Sequence, residues 1–160
     1  MKMLVMGVSG SGKSSFGQAL ADQLRVPFFD ADDYHSPQAI AQMANGQPLG
    51  DADRWPWLER LGRLLCEHEA LILGCSALKK SYRQLLRGFV PELKMCYLQG
   101  DFATVRQRLK ARGSGHFFTG EAMLRSQFAA LEEPEDDEKP LVISIRQSIP
   151  EQVFFACTQF

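Results

Sequence analysis

The residues best suited to chemistry form one short string near the start of the chain, Gly7-Val8-Ser9-Gly10-Ser11-Gly12-Lys13-Ser14. Its glycines permit backbone conformations that a side chain would obstruct, so successive N–H groups can turn inward toward phosphates. Lys13 would then reach the β- and γ-phosphates of a bound nucleotide, and the hydroxyl of Ser14 would ligate Mg²⁺. A Gly/Ser turn with a solvated lysine is the alternative. The complete string favours a loop that binds a nucleoside triphosphate, with contacts expected to extend to Ser15.

An acidic pair follows the second predicted strand, residues 26–30. On an extended segment Asp30 and Asp32 point to the same side of the chain. A kinase needs one carboxylate to orient the acceptor hydroxyl and take its proton, and another to hold Mg²⁺ directly or through water. We therefore expect Asp32 to be catalytic and both aspartates to serve the metal. An acidic turn that only caps the next helix is the alternative.

Two absences bear on the class of nucleotide enzyme. The third predicted strand, residues 70–75, ends without the aspartate that a GTPase or many ATPases would place there for the metal. The N-K-x-D signature of GTP recognition is also missing, because the only asparagine of the sequence, Asn45, is followed by Gly46 and not by lysine. Both absences favour Asp30 and Asp32 as the carboxylates beside the metal.

Cationic residues recur at helical spacing after the third strand, with Lys79, Arg83 and Arg87 at i, i+4 and i+8. They lie on a predicted helix, residues 76–87, next to its buried stripe. Ligands bind at the carboxyl ends of strands in open α/β sheets, so Lys79 and Arg83 are expected to hold a substrate carboxylate. A merely solvated helix face is the alternative.

A second cationic pair precedes a glycine-containing segment, residues 113–118. Arg108 and Arg112 are one helical turn apart, and we expect residues 112–125 to form a lid. Closure would exclude water and bring Arg112 to the transferring phosphoryl group, with Arg108 also at the nucleotide. Ordinary surface arginines are the alternative.

The elements that must position these residues alternate between strand and helix. Five short apolar runs are predicted as strands: residues 2–6, 26–30, 70–75, 93–98 and 141–145. Helical spacing separates and follows them, which predicts an α/β fold with three αβα layers and a parallel sheet. No repeat or linker suggests a second domain, so residues 1–160 are expected to form one. Residues 132–138, six of them acidic, are predicted to be a solvated loop.

The composition of the chain limits the kinds of partner that it can be expected to bind. The chain has 160 residues, and its net charge of −1 gives no electrostatic case for nucleic acid or for an anionic membrane. No membrane span or secretion leader is predicted. The four cysteines form no C-x-x-C pair and no metal-ligand spacing with the three histidines. Reduced, mostly buried thiols in a cytoplasmic protein are therefore expected.

Taken together and in order, these motifs resemble those of the gluconate kinase family. The matching stretches are GVSGSGKS at 7–14, DADDYH at 30–35, QMANGQPLGDADRWPWL at 42–58, CSALKKSYRQLLR at 75–87, HFF at 116–118 and LRSQFAALEEP at 124–134. The resemblance implies transfer of the γ-phosphate of ATP to the 6-hydroxyl of D-gluconate, with Mg²⁺ as cofactor. It also implies a cytoplasmic homodimer with a nucleoside monophosphate kinase-like fold and a helical lid.

The resemblance also implies roles for individual residues. Residues 7–14 would bind ATP, and Asp32 would face the acceptor hydroxyl. The sugar acid would be lined by His35, Arg54, Lys79 and Arg83, and the lid would contain Arg112 and His116. Ala39, Gln42 and Gln84 depart from residues common in the family. A kinase for another small acceptor, such as shikimate or a nucleoside monophosphate, and an ATP-dependent switch or binding module are the alternatives.

Overall fold

The sheet has five parallel strands in the part of the chain that the structure describes. A computed structural model describes residues 1–112 and 117–160, and of residues 117–119 only the helix that contains them. The strands are β1 (Lys2–Met6), β2 (Phe28–Asp30), β3 (Leu71–Gly74), β4 (Lys94–Gln99) and β5 (Leu141–Ser144). They pair in the order β2-β3-β1-β4-β5, with every pairing parallel. The predicted parallel sheet is confirmed.

Helices cover both faces of this sheet. Within the described ranges they are α1 (Lys13–Leu24), α2 (Pro37–Ala44), α3 (Asp51–Glu67), α4 (Lys80–Phe89), α5 (Phe102–Ala111), α6 (Phe117–Ala130) and α7 (Ile149–Gln159). The alternation of β1 explains the three layers. Leu4 and Met6 belong to a core shared with α3 and α4, whereas Met3 and Val5 belong to one shared with α1, α5 and α7. The predicted αβα architecture is thus confirmed.

Strand register brings the chemistry to one edge of the sheet. Val5 of β1 lies beside Gly74 of β3, and Gly74 lies beside Asp30 of β2. Because the strands are parallel, the segments that follow β1, β2 and β3 all emerge at their carboxyl ends. The phosphate-loop sequence, the two aspartates and the loop before α4 therefore meet at this edge.

Helix α4 begins at Lys80, four residues later than its apolar spacing predicts. Ala77 has a left-handed backbone (φ 42°), and Lys79 is extended. The carbonyl groups of Ala77 and Leu78 accept hydrogen bonds from the guanidinium of Arg83. The Arg83 side chain thus supplies the donors that backbone N–H groups would supply in a longer helix. Residues 75–79 therefore form a loop beside the sheet edge.

Most of the acidic segment 132–138 is exposed, as its composition predicts, but its last residue is not. Glu138 is buried, and its carboxylate accepts two hydrogen bonds from Arg83 of α4. Lys80 donates to both Glu135 and Asp137. The segment is therefore attached to α4 by charge pairs.

The described residues also bear on the expectations about membrane spans and thiols. None of the helices there combines the length and apolar character that crossing a bilayer requires. Cys75 and Cys96 are buried, Cys157 is half-buried and Cys66 is exposed, and all four are free thiols.

Candidate active site

The phosphate-loop sequence occupies the turn between β1 and α1. Gly12 has φ 93° and is the N-cap of α1, so it offers no side chain to accept the first N–H groups of the helix. Those groups and the positive end of the helix are suited to bind an anion. Gly10 has φ 78°, and a Cβ there would lie 2.9 Å from the side chain of Leu109. The loop therefore packs closely against α5 as well.

Lys13 is folded back onto its own loop. Its Nζ donates a hydrogen bond to the carbonyl of Val8 at 3.0 Å. Burial lowers the pKa of Lys13, whereas the nearby carboxylates of Asp32 and Asp30 oppose that shift. Burial also raises the pKa of Cys75 to about 12, so this neighbour stays a neutral thiol. A phosphate would give the buried ammonium a counter-charge and release it from Val8.

Asp30 joins the phosphate loop to the acidic turn. Its Oδ2 accepts a hydrogen bond from the hydroxyl of Ser14 at 2.7 Å, and its Oδ1 accepts one from the backbone N–H of Asp32 at 3.0 Å. The prediction of an extended segment here is wrong, because Ala31–Tyr34 forms a 3₁₀ turn that Asp30 caps. Both aspartates nevertheless line the same cleft as Lys13.

The donors beside the loop fit Mg²⁺. This ion prefers oxygen ligands, takes only one or two carboxylates from the protein and keeps water or phosphate at its other positions. Ser14, Asp30 and Asp32 supply one hydroxyl and two carboxylates. Residues 1–112 and 117–160 contain no group of three or more His, Cys, Asp or Glu side chains that could enclose a metal alone. The site therefore suits a metal shared with nucleotide phosphates.

An open cleft of about 280 Å³ brings these groups together. Arg112, which follows α5, faces it, as does Gln127 of α6. The lining residues are Ser9, Gly10, Gly12, Lys13, Ser14, Ser15, Asp30, Asp32, Gly74, Cys75, Ser76, Arg112 and Gln127. Arg108 instead donates to the carbonyl of Ile145, after β5, and is not among these residues. Of the predicted arginine pair, Arg112 alone lines the cleft.

His35 lies behind Asp32. Its Nε2 is 3.5 Å from Oδ1 of Asp32, and its ring stacks on that of Trp57 with the centroids 4.4 Å apart. Trp57 in turn donates from Nε1 to the carbonyl of Ala31 at 2.8 Å. Burial lowers the pKa of His35, and the carboxylate of Asp32 opposes this shift. These contacts favour a neutral imidazole that supports the turn carrying Asp32.

A second group of charges lies where α3 meets α4. Lys79 forms an ion pair with Asp51 at 2.9 Å, and the hydroxyl of Tyr82 also donates to Asp51. These hydrogen bonds, the one from Tyr82 foremost, lower the pKa of Asp51. The guanidinium of Arg54 lies 5.9 Å from the centre of the Tyr82 ring. Lys79 lies 5.7 Å from the same ring centre, so Lys79 and Arg54 are neighbours. The sequence suggests Asp51 as an ion-pair partner of Arg54, but it does not predict Asp51 and Tyr82 as partners of Lys79.

Arg83 lies elsewhere than its helical spacing predicts. Its side chain is 1% exposed, and Nε and Nη2 donate to the carboxylate of Glu138 at 2.7 and 2.8 Å. Nη1 donates to the carbonyl groups of Ala77 and Leu78. The expectation that Arg83 offers a free fork to a substrate carboxylate is therefore corrected: Arg83 supports the loop that carries Lys79. His116, the other residue expected at the substrate, lies outside the described residues.

The three positions that depart from common family residues lie away from the cleft. Ala39 is buried on α2, and Gln42 donates from Nε2 to the carbonyl of Pro48 at 3.0 Å. Gln84 is exposed on α4. Gln42 thus stabilises the turn after α2 by a contact within the chain.

The chain is similar to known proteins over nearly its whole length. A family model described as shikimate kinase matches residues 9–159. The thermoresistant gluconokinase of Escherichia coli K12 is 46% identical over 151 residues, which cover 91% of this chain and 85% of that protein. The gluconokinase of Gluconobacter oxydans 621H is 40% identical over 146 residues, covering 89% and 81%. The crystal structure of a gluconokinase from Sinorhizobium meliloti 1021 superimposes with a TM-score of 0.89 at 40% identity, covering 96% of this chain and 87% of that one.

Proposed function

We propose that this chain, which belongs to the gluconokinase family and carries the shikimate kinase family domain, is a kinase for D-gluconate. It transfers the γ-phosphate of ATP to the 6-hydroxyl of that acceptor. The products are 6-phospho-D-gluconate and ADP. One observation supports this most directly: the phosphate loop and the Asp30/Asp32 turn line a single cleft. A phosphoryl donor and an acceptor carboxylate are thereby brought to the same place.

The residues of the cleft supply positioning and charge. Backbone N–H groups of residues 7–15 bind the phosphates, and Lys13 moves from Val8 to the β- and γ-phosphates. Asp32 orients the acceptor hydroxyl and accepts its proton as the new O–P bond forms and the bond to the ADP oxygen breaks. Arg112 adds positive charge at the transferring group. Mg²⁺, when bound by Ser14, Asp30 and Asp32, neutralises charge on the phosphates.

The acceptor side recognises a polyhydroxy carboxylate. Lys79 and Arg54 offer two cations to its carboxylate, while His35 borders the end at Asp32. The ion pair with Asp51 keeps Lys79 charged and oriented in the absence of substrate. Arg83 contributes through the loop that it supports. We also propose that Arg108 contacts the nucleotide. Residues 112–125, with Arg112 and His116, would form a lid over the site.

Acceptor-dependent ADP release tests the proposal. The purified protein is assayed with ATP, Mg²⁺ and either D-gluconate, other aldonates, shikimate or nucleoside monophosphates. We expect D-gluconate to stimulate ADP release most, and ³¹P NMR to identify a 6-phosphate ester. Lys13→Ala, measured beside the wild type, should abolish the signal and so excludes a contaminating kinase. If no sugar acid stimulates turnover, the proposed function is wrong.

Shikimate is the second candidate acceptor, because the matching family model carries that description. It too is a hydroxylated carboxylate, which suits the same cations. A preference for shikimate in the assay above would favour it over gluconate. ADP release that no acceptor changes would instead indicate an ATP-dependent binding module.

A homodimer in the cytoplasm belongs to the same proposal and is supported by the family resemblance. Light scattering on the eluting protein tests its assembly. We expect twice the chain mass of 18.0 kDa.

A further inference from the structure

Gln127 of α6 contacts the phosphate loop from across the cleft. Its side-chain oxygen Oε1 accepts a hydrogen bond from the backbone N–H of Ser9 at 2.5 Å, although the two residues are 118 positions apart. The side chain is partly buried and lines the cleft together with Lys13 and Arg112. An amide group of the protein therefore lies where the loop is expected to meet phosphate.

The chemistry of a carboxamide makes this contact informative. The oxygen of Gln127 supplies an acceptor to Ser9 N–H, much as a phosphate oxygen would. The other end of the same group, Nε2, carries two N–H donors. Nε2 has no hydrogen-bond acceptor among the residues that the structure describes. One side chain thus holds an acceptor on the loop and an unused donor beside the cleft.

We propose that Gln127 is a further catalytic residue that exchanges these two ends when ATP binds. Its oxygen leaves Ser9 N–H, and Nε2 donates a hydrogen bond to an oxygen of the γ-phosphoryl group. This inference rests on the proposed function as a γ-phosphoryl transferase. During transfer the bond between the γ-phosphorus and the ADP oxygen breaks, the bond to the acceptor oxygen forms, and the acceptor proton passes to Asp32. Gln127 gives up no proton and stabilises the negative charge on the group in transit.

A purely structural role would make a different prediction. A side chain that only fastens α6 to the loop would affect every ligand of the loop equally and would lower thermal stability. A group that contacts the γ-phosphoryl distinguishes ATP from ADP. Affinity for the two nucleotides, measured separately, therefore separates the two roles.

The experiment uses Gln127→Ala, Gln127→Glu and the control Ser126→Ala, which alters an exposed position of the same helix. Calorimetry measures binding of ADP and of β,γ-imido-ATP with Mg²⁺ and without an acceptor. For Gln127→Ala we expect ADP affinity within about twofold of wild type, β,γ-imido-ATP about tenfold weaker, and kcat reduced about tenfold to a hundredfold. Gln127→Glu keeps an acceptor for Ser9 but repels phosphate, so it should bind the ATP analogue still more weakly. Ser126→Ala should match the wild type.

Two results would overturn the proposal. Equal weakening of ADP and the ATP analogue, with a lower unfolding temperature, would show that Gln127 only fastens α6. Tighter binding of both nucleotides with unchanged kcat would show that its oxygen merely competes with phosphate. Because the binding measurements need no acceptor, they test Gln127 even if gluconate fails to stimulate turnover.

Discussion

At the scale of single residues, Asp30 couples the two halves of the candidate site. One oxygen accepts from Ser14 of the phosphate loop, and the other accepts from the backbone of Asp32. The carboxylate that holds the loop serine thus also fixes the turn that presents Asp32. His35 and Trp57 support that turn from behind. The backbone of the turn that carries Asp32 is therefore supported from two sides.

Asp32→Asn should reduce kcat far more than it weakens ATP binding. The amide can still accept a hydrogen bond from the acceptor hydroxyl, but it cannot take the proton in transfer. A lost general base costs about a hundredfold or more in kcat. Steady-state kinetics over both substrates measures kcat and the two KM values.

The matched control is Asp33→Asn, which removes a charge from the adjacent exposed position and leaves the cleft lining intact. Its kcat should stay close to that of the wild type. A near-normal kcat for Asp32→Asn would rule out Asp32 as the base.

Residues that act through local geometry were predictable from the sequence. Lys13 and Ser14 belong to one short segment whose spacing fixes their neighbours, whereas Asp30 and Asp32 line one cleft although the segment between them turns instead of extending. Gln127 was not predictable, because its contact with Ser9 joins segments 118 residues apart and its helix spacing gives no sign of it. The Asp51 partner of Lys79 was missed for the same reason.

At the scale of elements, the attachment of residues 132–138 to α4 determines the shape of the loop that carries Lys79. Arg83 is the link, since it bonds Glu138 on one side and the carbonyl groups of Ala77 and Leu78 on the other. Helical periodicity placed α4 correctly but could not show its late start. That start depends on a carboxylate 55 residues away.

Arg83→Met should destabilise the fold by about 3–5 kcal/mol, because it leaves the buried carboxylate of Glu138 without its counter-charge. Adding Glu138→Leu should restore at least half of the loss, since the double variant buries no charge there. Urea unfolding of the wild type, both single variants and the double variant gives the coupling free energy.

Additive losses in that cycle would show that Arg83 and Glu138 contribute independently. Lys80→Met is a useful reference, because its ion pairs with Glu135 and Asp137 are largely exposed. It should cost no more than about 1 kcal/mol.

The same pair predicts a dependence of stability on pH. Burial alone would raise the pKa of Glu138, but hydrogen bonds and charge from Arg83 outweigh it, so the folded-state pKa lies below the ordinary value of 4.5. A carboxyl group whose pKa is lowered by folding stabilises the fold above its unfolded pKa. That contribution is lost as the pH falls through the folded-state pKa.

Unfolding free energies of the wild type and Glu138→Gln should therefore differ widely at pH 7, and the difference should shrink as the pH falls below the ordinary pKa of 4.5. Other carboxyl groups titrate in both proteins, so their effects cancel in the difference. A difference that stays constant over this range would contradict the assignment.

At the scale of the whole molecule, β1 is the common support of donor site and core. Its side chains alternate between the two cores, and the phosphate loop follows directly from its end. A ligand on the loop is therefore expected to stabilise both layers of helices together. The folded state should respond as one cooperative unit.

β,γ-Imido-ATP with Mg²⁺, at about a hundred times its Kd, should raise the unfolding free energy by about 2.7 kcal/mol. Differential scanning calorimetry should show one transition that moves as a whole to higher temperature. Lys13→Ala should abolish most of the shift while its own ligand-free transition stays near that of the wild type. Two transitions, of which only one moved, would contradict the single cooperative unit.

The residues proposed to bind ATP and those proposed to bind the phosphoryl acceptor come from different parts of the sheet. The phosphate loop comes from the centre of the sheet, whereas Asp32, His35, Arg54 and Lys79 all come from residues 31–79, which run from the edge strand β2 to the loop after β3. Of the residues proposed for the acceptor side, His35, Arg54 and Lys79 therefore lie on one contiguous stretch, and His116 lies outside it. Variants intended to accept a different sugar acid can therefore begin with three positions that share roughly fifty consecutive residues, and leave the phosphate loop unchanged.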